Sequence, residues 1–368
     1  VHFPGFDALR FYAALSIVIG HTNGNFGEIR SAPANLPVVN LLFLDPQSAV
    51  NLFLVLSGFL ITYLMLAERA ATGTLNIRRF YLRRILRIGP LYYLTVLIGL
   101  CLIPWLLSIP VDSSPAGLGR ILLILLILPN FTTGVSAVLG HLWCIGLQFQ
   151  SYLIWPWVTR PPLDRFLKIA AGILIVKIAV TPVILGMNTD SVTNIFYGLR
   201  FECIAIGALG AYLSFTRSAL LQAAGGLPAQ AAALGGMAAL AVWDLPLTEP
   251  SILLGSCIFL LVILNFSEGS SVARRLEAPV WRGLGKISYG IYMFHYPLLF
   301  VLLNAFQRLR FPEGVWYSIG LHAAVIGGSI LLAAASYAYF ERPFLRWKRN
   351  FSTAAPVAIP ESGGTATH

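Results

Sequence analysis

Charge is what this sequence of 368 residues has least of: 11% of its side chains are Asp, Glu, Lys or Arg, against roughly 25% in soluble domains. So few charges cannot clothe a surface in water while 57% apolar residues are hidden beneath it, so lipid must be the outer solvent. That excludes a secreted, cytosolic or disordered protein. Mean hydropathy is correspondingly high, at +0.77. Cysteine is also scarce. The four present, Cys101, Cys144, Cys203 and Cys257, sit singly in apolar stretches, with no CxxC pair and no histidine at ligand spacing. Neither a disulfide framework nor a metal site is expected. No internal repeat, Gly-rich phosphate loop or nucleic-acid motif occurs. The first apolar run starts almost at once and continues as mature chain, without a signal-peptide cleavage pattern, and Val1 in place of Met implies missing starting residues.

What is present is a series of apolar runs, most of them long enough to cross about 30 Å of hydrocarbon as about 20 helical residues. They fall near 8–24, 48–66, 89–108, 141–158, 167–187, 198–215, 229–245, 250–267, 287–306 and 316–340. A shorter run at 119–131 ends in Pro129 and Asn130. Basic residues outnumber acidic ones by 25 to 15, a net charge of +10, and they cluster in four connecting segments: 67–88, 159–168, 272–286 and 342–349. The positive-inside rule assigns all four to the cytoplasmic side. The excess is then a topology signal, and no nucleic-acid partner is expected.

Successive basic segments must be separated by an even number of crossings. That holds from 168 to 272 and from 286 to 342; between 88 and 159 it holds if the run at 119–131 is re-entrant or interfacial on the outer side. The expected fold is an all-α integral membrane protein of about ten transmembrane helices plus one short re-entrant or interfacial helix, with both termini cytoplasmic. Residues 1–349 would form the membrane domain. The residues at 350–368, rich in Pro, Ser, Gly, Thr and Ala, would be a disordered cytoplasmic tail. The outer loop at about 24–47 holds only Glu28, Arg30 and Asp45 as charges.

Charge at bilayer depth costs several kcal/mol unless partnered, which makes each such residue a candidate functional group. Asp7, Arg10 and His21 share the segment FDALRFYAALSIVIGHT. The spacing of Arg10 and His21 brings them within about 20° of one helical face and about 16 Å apart along it; Asp7 can pair with Arg10 at i, i+3. His21, toward the outer end, is the side-chain type best suited to take a proton near neutral pH. In NIRRFYLRRILRIGP, Arg83, Arg84 and Arg87 fall on one side of a helix. That cluster reads as a topology anchor on anionic lipid or as a phosphate site, for which arginine forks are suited. Arg78 and Arg79 occupy the first turn after Asn76, where the macrodipole disfavours cations and nearby phosphates would relieve the conflict. His141, Gln148, Gln150 and Tyr152 lie in HLWCIGLQFQSYLIWP, and His295 in GKISYGIYMFHYP. Arg200 and Glu202 are expected to partner at i, i+2 around a helix start, and Glu341 and Arg342 precede Pro343. Taken singly, these read as helix-packing groups.

In chain order, DALRFYAALSIVIGH, NLFLVLSGFLIT, FYLRRILRIGPLYY, HLWCIGLQFQSYLIWP, RFECIAIGALGAYL, GKISYGIYMFHYPL and YFERPF resemble the membrane-bound acyltransferase-3 family. Its members move acyl groups, often acetyl, onto sugars of surface polysaccharides and onto some small molecules. The likeness runs from about Phe6 to Trp347. It implies that Arg10 and His21 are the family's Arg-x10-His pair required for transfer, with Asp7 holding the local electrostatics. Arg84 and Arg87, with Arg83 beside them, match its Arg-x-x-Arg motif, associated with acyl-CoA on the cytoplasmic side. Glu341 and Arg342 match its Glu-Arg-Pro ending. Ser57 and Gly58 match its SGF element, where Gly58 permits close helix approach. His141, Gln148, Tyr152, Arg200, Glu202, Tyr289 and His295 are expected as substrate-binding or supporting residues. One departure stands out: the family usually has Glu at Gln148, in the pattern Trp-Ser-Leu-x-Val-Glu-x-Gln, and Cys144 replaces its Ser. Gln148 can hydrogen-bond, but it cannot act as a base or carry negative charge.

The resemblance implies an O-acyltransferase of the bacterial inner (cytoplasmic) membrane, with acyl-CoA, acetyl-CoA first, as donor and no metal. Donor phosphates would dock on the arginines, and the pantetheine arm would thread toward His21, which would deprotonate an acceptor hydroxyl or carry the acyl group itself. The expected acceptor is a polysaccharide or its lipid-linked sugar precursor, with a small metabolite as the alternative. Membrane lipid and polysaccharide-assembly machinery are the expected partners. A transporter or flippase would also use many spans and intramembrane charges, but no inverted repeat or matched pair of broken helices is visible. A catalytically weakened member acting as a sensor or assembly partner is the third reading.

Overall fold

The computed structural model describes residues 2–24, 41–132, 137–187, 189–243 and 248–351. The expected tail from 352 onward and most of the expected outer loop lie outside the described residues. Every regular element described is helical. In chain order these are α1 (Phe6–Asn23), α2 (Pro46–Thr72), α3 (Ile77–Leu97), α4 (Pro115–Leu125), α5 (Trp143–Thr159), α6 (Leu163–Gly186), α7 (Asp190–Gly198) and α8 (Phe201–Phe215). There follow α9 (Ala219–Gly225), α10 (Leu227–Val242), α11 (Glu249–Ser267), α12 (Ser271–Arg275), α13 (Pro279–Arg308), α14 (Val315–Ser336) and α15 (Arg342–Arg349).

Among the described residues, seven helices are long and apolar enough to cross a membrane, or eight if α9 and α10, bent by 70°, count as one span. The sequence expectation of about ten crossings exceeds that number for two local reasons. α1 carries Asp7, Arg10 and His21 within its 18 residues, which lowers its mean hydropathy, and α5 has only 17 residues. The run at 119–131 is α-helical only through α4, whose 11 residues rise about 16 Å, half of what a crossing needs, and it ends in a 3-10 turn at Pro129–Phe131. The basic segment 67–88 also differs from expectation. It is not a loop but two helix ends joined at 73–76. Gly73 closes α2 in the left-handed region (φ 73°), with its N–H on the Arg69 carbonyl, and Asn76 Oδ1 caps α3 by accepting from the Arg79 N–H at 2.9 Å. The arginines therefore stand on α3 itself, which continues through a π-turn at Ile98–Leu102 to Leu107.

Two close approaches fix the core. α2 and α8 touch backbone to backbone: a Cβ added at Gly58 would lie 2.2 Å from the Ile204 carbonyl oxygen, and one at Gly207 would lie 2.0 Å from that of Val55. Small residues at a helix interface allow this when lipid supplies no hydrophobic drive, and the sequence reading of Gly58 holds. α1 packs between α2 and α13, and Gly285 of α13 abuts the first turn of α1, where a Cβ would meet Asp7 at 2.4 Å. The Gly5 N–H donates to Glu277 Oε1 at 2.6 Å, just before α13. α1 and α13 thus start together at the end that carries the basic segments. Trp105, Ile175, Val176, Trp316 and Leu331 point outward, an apolar exterior suited to lipid.

Candidate active site

A cavity of about 230 Å³ is enclosed by α1, α2, α3, α5 and α13, with Lys348 of α15 reaching into it. Its basic end is lined by Arg10, Arg84, Arg87 and Lys348, and deeper in it meets Ser57, Cys144, Gln148, Tyr289 and Tyr292. Arg10 donates to Asp7 Oδ1 at 2.8 Å, the i, i+3 pair expected from the sequence. The Arg84 guanidinium lies 5.3 Å from the ring centroid of Phe80 and 5.2 Å from that of Tyr152, and its buried Nε has no hydrogen-bond partner among the described residues. Arg10, Arg84, Arg87 and Lys348 stand here against the Asp7 carboxylate, with Glu341 in electrostatic reach of Arg87, which leaves this end net positive and suited to an anion.

Arg83 is not part of that receptor. It pairs with Glu68 at 2.7 Å and donates to the Phe351 carbonyl at 2.8 Å. Arg83 is at i, i+4 from Arg87 and close to it around the helix, but these two partners hold its guanidinium away from the cavity, which Arg84 and Arg87 line. Arg78 and Arg79 are exposed and do not line the cavity. Lys348 went unnoticed in the sequence because its place depends on α15 folding back against α3; its only signal was membership of a basic segment.

At the other end of α1, His21 Nδ1 lies 2.9 Å from His295 Nε2 on α13, with the two rings stacked at 5.2 Å and 7°. His295 is fully buried, and its Nδ1 lies 2.5 Å from the Tyr292 carbonyl oxygen. His141 Nε2 lies 3.2 Å from the Met293 carbonyl oxygen, and the Tyr292 hydroxyl donates to the His141 carbonyl at 2.5 Å. Pro297 explains why the Met293 carbonyl is available: a proline four residues on has no N–H to give it. Tyr296 completes the cluster, 5.1 Å from His21 and stacked 5.2 Å from His141. Tyr292 belongs to both regions, since it lines the cavity and holds His295. It was missed in the sequence because YGIYMFHYP reads as one apolar stripe. Among the described residues, no three His, Cys, Asp or Glu side chains are grouped to hold a metal ion.

Asp7 and Arg10 are not beside His21. They stand at the basic end of α1, about 16 Å and more from it along the helix, and Arg10 belongs with the arginines of α3. Ser57 and Gln148 are joined by a 2.7 Å hydrogen bond. Gln150 pairs instead with Asn130, at 2.6 and 3.2 Å. Tyr289 donates to the Ile88 carbonyl at 3.0 Å and ties α13 to α3. The expected Arg200 and Glu202 partnership does not form, since residues at i and i+2 do not face each other. Arg200 donates to Asn51 Oδ1 at 2.5 Å and to Gln47 Oε1 at 2.7 Å, whereas Glu202 faces Lys177 at 3.6 Å. Glu341 accepts from Ser336 at 3.2 Å, and Arg342 is exposed; neither lines the cavity.

The acyltransferase-3 family, described as an acyltransferase domain, matches residues 3–334. The Bacillus subtilis protein YrhL, provisionally named a peptidoglycan O-acetyltransferase, is 26% identical over 93% of this chain and 55% of its own length. The peptidoglycan O-acetyltransferase OatA of Listeria monocytogenes is 23% identical over 92% of this chain and 55% of its own, and the O-acetyltransferase OatA of Staphylococcus aureus is 23% identical over 93% and 57%. The chain thus spans little more than half the length of these curated relatives. No solved structure matches it. With the ordered motifs, the helical fold and a match over nearly its whole length, the chain belongs to the acyltransferase-3 family.

Proposed function

We propose that the protein is a multi-pass O-acyltransferase that takes an acyl group, acetyl first, from acyl-CoA and transfers it to a hydroxyl of a carbohydrate polymer of the peptidoglycan kind or of its lipid-linked precursor. The observation that carries this reading is the single cavity that runs from Arg10, Arg84, Arg87 and Lys348 to Tyr292, whose carbonyl contacts His295 and, through it, His21. A donor with phosphates at one end and a reactive thioester at the other suits that polarity. The arginines bind its phosphates, the buried interior lined by Leu56, Ile145 and Tyr292 houses its arm, and His21 stands about 16 Å from Arg10 along α1.

His21 would take the proton of the acceptor hydroxyl as its oxygen attacks the thioester carbonyl, or would itself take the acyl group first. The relatives named for peptidoglycan support a carbohydrate acceptor. With α1, α5 and the bent α9–α10 pair counted as spans beside the seven longer helices, ten crossings result. The basic segments then face the cytoplasm, where acyl-CoA is made, in a bacterial cytoplasmic membrane. Lipid and polysaccharide-assembly proteins are the partners in this reading.

The test is acyl transfer by the purified chain with acetyl-CoA, followed as CoA thiol release. His21→Ala is expected to lose at least about 100-fold in turnover while eluting and melting as the unaltered protein does. Unchanged turnover in that variant would overturn the assignment.

A further inference from the structure

The pairing of His21 with His295 carries more than proximity. The Tyr292 carbonyl oxygen, 2.5 Å from His295 Nδ1, can only accept a hydrogen bond, so Nδ1 of His295 bears a proton. His295 is fully buried on α13, the rings of His21, His141, Tyr292 and Tyr296 surround it, and among the described residues its hydrogen bonds go to His21 and the Tyr292 carbonyl and none to a carboxylate. A ring buried without an anion is neutral, because an unpaired buried charge is costly. A neutral ring protonated at Nδ1 has a bare Nε2. The 2.9 Å contact with His21 then requires His21 Nδ1 to supply the proton, which leaves His21 Nε2 bare.

We propose that His295 is the positioning residue of the transfer reaction: by accepting from His21 Nδ1 while donating to the Tyr292 carbonyl, it holds His21 in the one neutral form whose Nε2 can take a proton from the acceptor hydroxyl. This rests on the reading of His21 as the base. The chain of bonds does what an aspartate does beneath the histidine of a hydrolytic triad, which is to fix tautomer and ring orientation, here with an imidazole and a backbone carbonyl in place of the carboxylate.

The proton balance closes. As the hydroxyl oxygen bonds to the thioester carbonyl carbon, its proton passes to His21 Nε2. The carbon–sulfur bond breaks, and the leaving thiolate takes that proton from Nε2. Between these events His21 is a cation, and the bare His295 Nε2 accepting from its Nδ1 disperses the charge without moving a heavy atom.

The experiment has two arms, both on the full chain in lipid nanodiscs. In the first, ring-15N-histidine spectra, with His21 assigned by difference from His21→Ala, are expected to show His21 protonated on Nδ1 and bare at Nε2, and His295→Leu is expected to abolish that form. A wild-type His21 protonated on Nε2 overturns the proposal whatever the activity. In the second, with acetyl-CoA as donor and thiol release as readout, His295→Leu is expected to lose about 100-fold or more in turnover at unchanged KM for acetyl-CoA, as a wrong tautomer does. His295→Gln, whose Oε1 can accept in place of Nε2, should stay within about tenfold of the unaltered protein. Equal loss in both variants with His21 still protonated on Nδ1 overturns the positioning role. Normal turnover in His21→Ala overturns the functional reading instead, and the tautomer assignment then stands or falls by its spectra.

Discussion

Gln148 on α5 donates from Nε2 to the Ser57 hydroxyl on α2 at 2.7 Å, closing one wall of the cavity with an amide where the family usually places a carboxylate. Ser57 can reverse its role and donate to a carboxylate, so the bond itself does not require an amide. Gln148→Glu is therefore expected to change turnover by less than about threefold, since the hydrogen bond to Ser57 is kept, with a carboxylate as acceptor in place of the amide as donor. Its KM for acetyl-CoA should rise, because it adds negative charge near an anionic donor. A tenfold gain in turnover would instead mean that the chain has lost a catalytic carboxylate.

Arg84, Arg87 and Lys348 share the basic end of the cavity. Alanine at any of the three is expected to raise KM for acetyl-CoA by about tenfold, the scale of one charge-assisted hydrogen bond, and to flatten the salt dependence of that KM. S-acetylpantetheine, which lacks the adenosine phosphates, should be used equally well by all three variants and the unaltered protein. An equal loss with both donors would show that these cations do not contact the phosphates.

Arg83 should behave in the opposite way. Its partner Glu68 is largely buried, and breaking a buried pair leaves one charge uncompensated, at a cost of about 3 kcal/mol. Arg83→Met is expected to lower the melting temperature in detergent and leave KM for acetyl-CoA unchanged. A raised KM with normal stability would return Arg83 to the donor site.

Pro297 leaves the Met293 carbonyl to His141. In Pro297→Ala the new N–H can take that carbonyl within the helix, releasing His141 from its 3.2 Å contact. Turnover is expected to fall by about fivefold, the equivalent of roughly 1 kcal/mol, with α13 no less stable. Turnover equal to that of the unaltered protein would show that His141 needs no such anchor.

Gly58 has no room for a side chain, since its Cβ would stand 2.2 Å from the Ile204 carbonyl oxygen. Gly58→Val is expected to separate α2 from α8, costing more than about 3 kcal/mol as overpacking against backbone, and size-exclusion profiles in detergent should show loss of the folded species. A variant that elutes and melts normally would mean that α8 can shift at little cost.

Much of this is legible in the amino-acid sequence. Apolar run lengths gave the helices, because a segment in hydrocarbon must satisfy its own backbone. The i, i+3 spacing of Asp7 and Arg10 gave their ion pair, and the glycine in SGF gave a close approach. The errors share a cause. Arg83 was grouped with Arg84 and Arg87 by helical spacing, and Arg200 with Glu202 by closeness in sequence, and spacing within one segment does not show which partner from another segment each side chain meets. The span count depends on the same kind of contact: charged α1 and short α5 are not marked as spans by their own hydropathy and length, and in our reading they cross by virtue of what they pack against.

The sequence by itself determined that lipid surrounds this chain, which segments are helical, and which few polar residues must be justified inside it, because periodicity and transfer energy act within a segment. Only the tertiary structure decided which of those residues meet. His21 and His295 are 274 residues apart, and they are joined because Gly285 lets α13 lie against the first turn of α1. Arg10, Arg84 and Lys348 converge because three helix ends pack at one end of the bundle. Contacts of that kind depend on packing between segments distant in sequence, and no local pattern along the chain encodes them.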